Sequence, residues 1–270
     1  MSIASIMVSL DLGRSAADRV RLAADLAFRF EAGLTGLAAR TIDAPAPVGD
    51  IVAAQDVYAW DRRALIDELA QARVVFARNA GTALRTDWRQ GEAGAEAFLV
   101  RQALAADLVV VGRDPQGDGA GALGAAPGPV LMEVGRPVLA VPPRTDRLAA
   151  ARIVVAWKDA PEARRAVTAA LPFITRADQV FVVSVGSEAR LEGAGEVADH
   201  LARHGAHVTA HPLTGPTRDV AGEILRFAAQ QDADLVVMGG YGHSRLREWL
   251  LGGVTRDILD DAPLCCLMCH

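Results

Sequence analysis

The 270-residue chain is poor in aromatics, cysteine and lysine, and each shortage excludes something. Lys158 is the only lysine among 28 basic residues, aromatics make up 5%, and the formal net charge is −5 with acidic and basic residues interleaved. Without a basic run or a positive face, a nucleic-acid partner is not expected. The three cysteines, Cys265, Cys266 and Cys269, fall within the last six residues. An odd, crowded set has no framework spacing, which argues against a disulfide scaffold and for a cytoplasmic location. In a strand, Cys265 and Cys269 face away from Cys266 and His270, so the cluster lacks the convergent pairs of a zinc site and reads as a buried edge or interface strand. No run approaches the ~20 apolar residues of a membrane helix. The opening stretch, Met1 to Gly13, has no basic segment ahead of its apolar residues, so neither a membrane partner nor a secretory leader is expected. No Ser-His-Asp or Cys-His arrangement is set by spacing, and His200 and His204, four apart on an expected helix, have no evident third ligand. No catalytic or metal-binding residue is assigned.

What is present is half apolar residues, enough for a sizeable core, and an internal repeat. ADLVVVG (106–112) reads almost as ADLVVMG (233–239), an offset of 233 − 106 = 127. The openings match at a different offset, Ile6 to Asp11 against Ile153 to Lys158, 153 − 6 = 147. The chain is two copies of one unit, the first holding about twenty extra residues (147 − 127 = 20) before its fourth strand, placed around Asp43 to Arg63. Pro142 to Arg147 is polar and proline-bearing, a linker between a domain at 1–143 and a domain at 150–270.

In the second copy, IVVAW (153–157), VFVVSV (180–185), HVTAH (207–211), DLVVM (234–238) and PLCCLM (263–268) read as five strands. Amphipathic helical patterns separate them, with Val220, Ile224 and Phe227 at i, i+4, i+7. Continuous apolar strands alternating with helices predict an α/β chain of two tandem, doubly wound, five-stranded parallel-sheet domains. Such sheets bind ligands beyond the carboxyl ends of their strands, where the winding reverses.

MGGYGHSRLREWLLGGVTRDIL (238–259) lies just after such a strand. Gly239, Gly242, Gly252 and Gly253 tolerate positive φ and admit an anion without a Cβ in the way. A helix over Gly253 to Asp261 would aim the amides of Gly253 and Val254 at a phosphate, and His243, Arg245 and Arg247 add donors. No GxxxxGK[ST] or GxGxxG occurs within the stretch. On glycine content alone, a surface loop that only turns the chain explains it equally well.

The spacing of Gly239, Gly242 and Gly252, with nine residues between the last two, resembles the ATP-binding motif of the universal stress protein family. The resemblance extends to the flanking residues and to both copies. It implies a tandem universal stress protein whose domains have an adenine nucleotide alpha hydrolase-like fold, binding ATP or a related adenine nucleotide, with Mg²⁺ entering only alongside it. Carried over, the contacts fall on Gly239, Gly242, Gly252, Gly253 and Val254, with Met238 and Val185 near the base. Gly253 stands where the family has Ser or Thr, removing a charge-assisted hydrogen bond worth ~1.5–3 kcal/mol. Lys158 stands where the family has an Asp; it either neutralises a phosphate or is solvated at a strand end. Thr255 is a second hydroxyl of undetermined direction. The first copy keeps the Asp, as Asp11, but its loop from Gly112 to Val130 loses the spacing and carries Asp114 and Asp118, so no ATP site is expected there. The expected role is a sensor or regulatory module; a slow ATP hydrolase and a module that holds no nucleotide are the alternatives. The apolar last strand is expected to pair the two copies as an intrachain pseudo-dimer, or to assemble chains into a homodimer.

Overall fold

The computed structural model describes residues 2–42, 51–81, 83, 85–113, 117–186, 193–214, 218–242 and 253–270. The first half runs β1 (Ser5–Ser9), α1 (Ala16–Phe30), β2 (Gly33–Arg40), α2 (Ile51–Asn79), β3 (Thr86–Glu92), α3 (Ala95–Gln102), β4 (Leu108–Gly112), α4 (Pro127–Glu133) and β5 (Val138–Val141). The second runs β6 (Arg152–Ala156), α5 (Pro161–Ile174), β7 (Gln179–Gly186), α6 (Ala194–Arg203), β8 (Val208–Thr214), α7 (Val220–Gln230), β9 (Leu235–Gly239), α8 (Val254–Asp261) and β10 (Cys265–Cys269).

All ten strands join one sheet in the order β3-β2-β1-β4-β5-β10-β9-β6-β7-β8. Each half is wholly parallel, and the halves meet where β5 and β10 pair antiparallel, Leu139 opposite Leu267. The last strand therefore lies inside the sheet, its backbone groups paired with β5 on one side and β9 on the other. Central strands such as β4 (LVVVG) and β10 (CCLMC) are buried along their whole length, as residues covered by helices on both faces must be. One face packs α1, α2, α5 and α6 through Val20, Leu65, Phe76, Ala166, Phe173 and Leu201. The other packs α3, α4, α7 and α8 through Leu99, Leu131, Ile224, Phe227 and Ile258. Cys265 and Cys269 contribute to the first core and Cys266 to the second, the alternation expected of a strand.

The repeat extends to individual hydrogen bonds. Asp107 accepts the amides of Ala4 and Ser5 at 2.8 and 3.0 Å, and its counterpart Asp234 (107 + 127) accepts those of Ala151 and Arg152 at 3.1 Å each. Each carboxylate ties the start of its fourth strand to the start of its first. The extra residues of the first half enlarge α2, 29 residues long against 10 in α6. The expected strand at 207–211 continues to Thr214 through Pro212. As the outermost strand of the sheet, β8 leaves one row of backbone groups unpaired, which is where a strand tolerates proline.

Candidate functional site

The carboxyl ends of β6, β7 and β9 converge on a cavity of about 210 Å³. It sits at the switch point, because β6 pairs with β9 on one side (Ala156 opposite Met238) and with β7 on the other. That is where a doubly wound sheet offers a ligand crevice. Val183, Val185, Ile224 and Met238 supply apolar walls, Trp157 an aromatic one, and Lys158 and Glu162 are the two charged residues in the lining among the described residues.

The sequence-expected residues are largely brought together: Lys158, Val185, Met238, Gly239, Gly242 and Val254 all line this cavity. Gly253 sits beside it as the N-cap of α8, with its carbonyl accepting the Asp257 amide at 3.0 Å. Gly252 lies outside the described residues, as do His243, Arg245 and Arg247. Thr255 is buried and its hydroxyl accepts the Tyr241 amide at 3.1 Å, so it ties the loop to α8.

At Gly239 and Gly242 glycine is explained by close approach, and neither of them nor Gly253 has the expected positive φ. A Cβ on Gly239 would come within 2.6 Å of Ala163 N and of Glu162 Cγ, and one on Gly242 would overlap Glu162 Oε1. Left-handed backbone falls instead on Tyr241, with φ 55, at a cost of roughly 1–2 kcal/mol for a residue with a Cβ. The Thr255 bond holds it there, and its ring reaches the first half, where the hydroxyl lies 2.9 Å from the position a Cβ on Gly128 of α4 would take. Trp157, Glu162 and Tyr241 were not picked out from the sequence. Trp157 directly follows β6 and Glu162 lies in the first turn of α5, so the rule that ligands meet residues just beyond strand ends covers the first and points close to the second.

The first half shows how the same place is closed. The buried residues of α1 and α5 correspond at the offset of 147 (Ala16 to Ala163, Val20 to Val167, Ala23 to Ala170), which makes Arg19 the counterpart of Ala166. Arg19 and Asp11 are almost wholly buried and form an ion pair at 2.5 Å, and Arg19 Nε donates to the Ser9 carbonyl at 3.0 Å. The guanidinium lies over Gly112, the counterpart of Gly239, where a Cβ would sit 2.7 Å from Nη1. Asp118 reaches from the loop after β4 to the start of α1, accepting the Ser15 amide at 2.8 Å and the Ser15 hydroxyl at 2.9 Å. Only about 10 Å³ remains open among Ser15, Arg19, Gly112 and Asp118. In the second half Lys158 replaces Asp11 and Ala166 replaces Arg19, so the plug is missing and a cavity is left.

Among the described residues no group of three or more His, Cys, Asp or Glu could hold a metal ion, and no helix is long and apolar enough to cross a membrane. The rings of His200 and His204 meet edge to face, with centroids 4.7 Å apart, and no third ligand joins them among those residues.

The profile of the Universal stress protein family matches residues 150–270. Over 98% of its length the chain is similar to a universal stress protein from Archaeoglobus fulgidus DSM 4304, with 17% identity, a TM-score of 0.67 and 96% of that chain covered. It is likewise similar to a functionally unknown protein from Pseudomonas aeruginosa PAO1, with 18% identity, a TM-score of 0.56 and 98% and 92% of the two chains covered. No curated protein sequence matches the chain. At these identities the solved structures establish a shared fold across both halves, while the profile match is to the second half. Residues 150–270 match the universal stress protein family, and the chain as a whole shares the fold of the universal stress protein from Archaeoglobus fulgidus DSM 4304.

Proposed function

We propose that the chain is a stress-response sensor or regulatory module built of two domains, 1–143 and 150–270, and that the second holds an adenine nucleotide. The observation that carries this reading is the switch-point cavity: it brings Lys158, Val185, Met238, Gly239, Gly242 and Val254 together beside the N-terminus of an eight-residue helix. Apolar walls and one indole suit a base, and backbone amides at a helix start suit an anion. The residues fit such a ligand in that Val254, at the start of α8, stands in the lining together with the apolar walls. Mg²⁺ would enter with the nucleotide. Lys158 would supply a positive charge beside the ligand.

Calorimetric titration of the full chain with ATP, ADP, AMP and adenosine at ~100 µM protein tests the reading. Saturable heat with one of them is expected. No heat with any would overturn it.

A further inference from the structure

Glu162 occupies a position that the nucleotide reading does not use. It lies in the first turn of α5, half-buried, and its side chain runs along the loop after β9. A Cβ on Gly239 would come within 2.6 Å of its Cγ, and a Cβ on Gly242 would overlap its Oε1. The first turn of α5 therefore fills the space at both glycines, with backbone and the Glu162 methylene at Gly239 and the carboxylate at Gly242. The first half does the same from the opposite side: Asp118 leaves the loop after β4 and reaches the start of α1, with Oδ2 2.7 Å from where a Cβ on Gly13 would stand. In both halves the gap between the first helix and the loop after the fourth strand is bridged by negative charge, from residues that do not correspond in the repeat: Ser15 is the counterpart of Glu162 (15 + 147 = 162).

We infer that Glu162 makes the second-half site select an uncharged nucleoside over its polyphosphate. This rests on the reading that the cavity holds an adenine ligand. Among the described residues, Lys158 and Glu162 are the two charged ones in its lining, and their charges offset each other. Each negative charge added to a ligand is repelled by the carboxylate, and the repulsion grows where water is partly excluded. A carboxylate only accepts hydrogen bonds. Ribose hydroxyls donate them, and an acidic side chain that accepts from ribose hydroxyls is a known solution to nucleoside recognition in doubly wound sheets. Glu162 is thus a specificity-determining residue that takes the sugar and turns away the phosphates.

The test is calorimetry of adenosine, AMP and ATP with the wild-type chain and with Glu162→Gln, which keeps the shape and removes the charge. The wild type is expected to bind adenosine most tightly and ATP most weakly. Glu162→Gln is expected to tighten ATP by about tenfold or more, equivalent to about 1.4 kcal/mol, and to leave adenosine unchanged or weaker. Raising the salt concentration is expected to narrow the wild-type preference by screening, and Glu162→Ala, with unchanged circular dichroism, checks that the effect follows the charge and not the amide. ATP binding more tightly than adenosine in the wild type, or a ratio unmoved by both variants, overturns the selection and leaves the nucleotide reading standing. Absence of binding by every ligand to every variant overturns both.

Discussion

At the scale of single residues, the difference between the halves comes down to a few side chains. Arg19 and Asp11 are buried together, and truncating one partner strands the other charge, which typically costs about 3–5 kcal/mol. Arg19→Ala is therefore expected to lower the free energy of unfolding by that amount in a denaturant titration; a loss of less than about 1 kcal/mol would show that the pair is not the plug described. The reciprocal change is Lys158→Asp with Ala166→Arg, which rebuilds the first-half pair in the second half. That variant is expected to fold and to lose ligand binding, read by calorimetry beside its far-ultraviolet spectrum. Gly239→Ala sets a methyl group 2.6 Å from the Ala163 backbone nitrogen and is expected to cost roughly 1–3 kcal/mol, with a lower melting temperature as the readout. Much of this was legible in advance: glycine spacing marked the loop, and offset arithmetic placed Lys158 opposite Asp11. Arg19 and Glu162 were not legible, because each sits on a helix whose periodicity explains it equally well as an ordinary polar position. Only the third dimension shows one over Gly112 and the other against Gly242.

At the scale of elements, β10 carries the clearest solution signature. Burial pushes the thiols of Cys266 and Cys269 up to about 12 from an ordinary 9.0 and raises that of Cys265 as well. In the unfolded chain the thiols ionise near their ordinary value, whereas in the folded protein they stay protonated. The stability they contribute is fully present below about pH 9 and is lost as the pH rises towards 12. Denaturant melts are expected to show falling stability across that window, more steeply than in a variant with all three cysteines replaced by alanine. Equal slopes would contradict the burial. Disulfide-exchange labelling at pH 8 is expected to follow unfolding, since the reactive species is the thiolate. Strand positions were readable because a sheet covered on both faces demands unbroken apolar runs. The edge was less so: β8 continues past Pro212, where a turn signal in the sequence is only the mark of an outer strand. The lengthening of α2 was visible as an offset difference, although its helical conformation was not assigned.

At the scale of the whole molecule, the two halves are joined through one antiparallel strand pair whose central residues, Leu139 and Leu267, are fully buried. Helix contacts reinforce it: Arg113, just after β4, donates to the Leu259 carbonyl at 3.0 Å and to the Asp260 carbonyl at the end of α8. Tyr241 meets Gly128 across the same boundary. Leu267→Asp buries a charge without a partner in the middle of this junction. Calorimetric melting is expected to split into two transitions as the halves unfold separately; a single transition at the wild-type temperature would contradict a cooperative joint. Pairing of the two copies through the apolar last strand was among the arrangements the sequence suggested, but sequence alone left pairing within the chain and between chains equally open, since both satisfy the same edge. The duplication likewise pointed to two similar folds while leaving the fate of the first site undecided, because the spacing of glycines says nothing of what fills the gap between them.

If the second half takes up an adenine ligand as proposed, one chain holds one, because Arg19, Asp11 and Asp118 fill the first site while Lys158 and Ala166 leave the second open. The most direct test is the stoichiometry measured by titrating adenosine and ATP into the full chain and into the Lys158→Asp, Ala166→Arg variant. One ligand per wild-type chain and none in the variant is the predicted result; two per chain, or binding that survives the grafted plug, would contradict it.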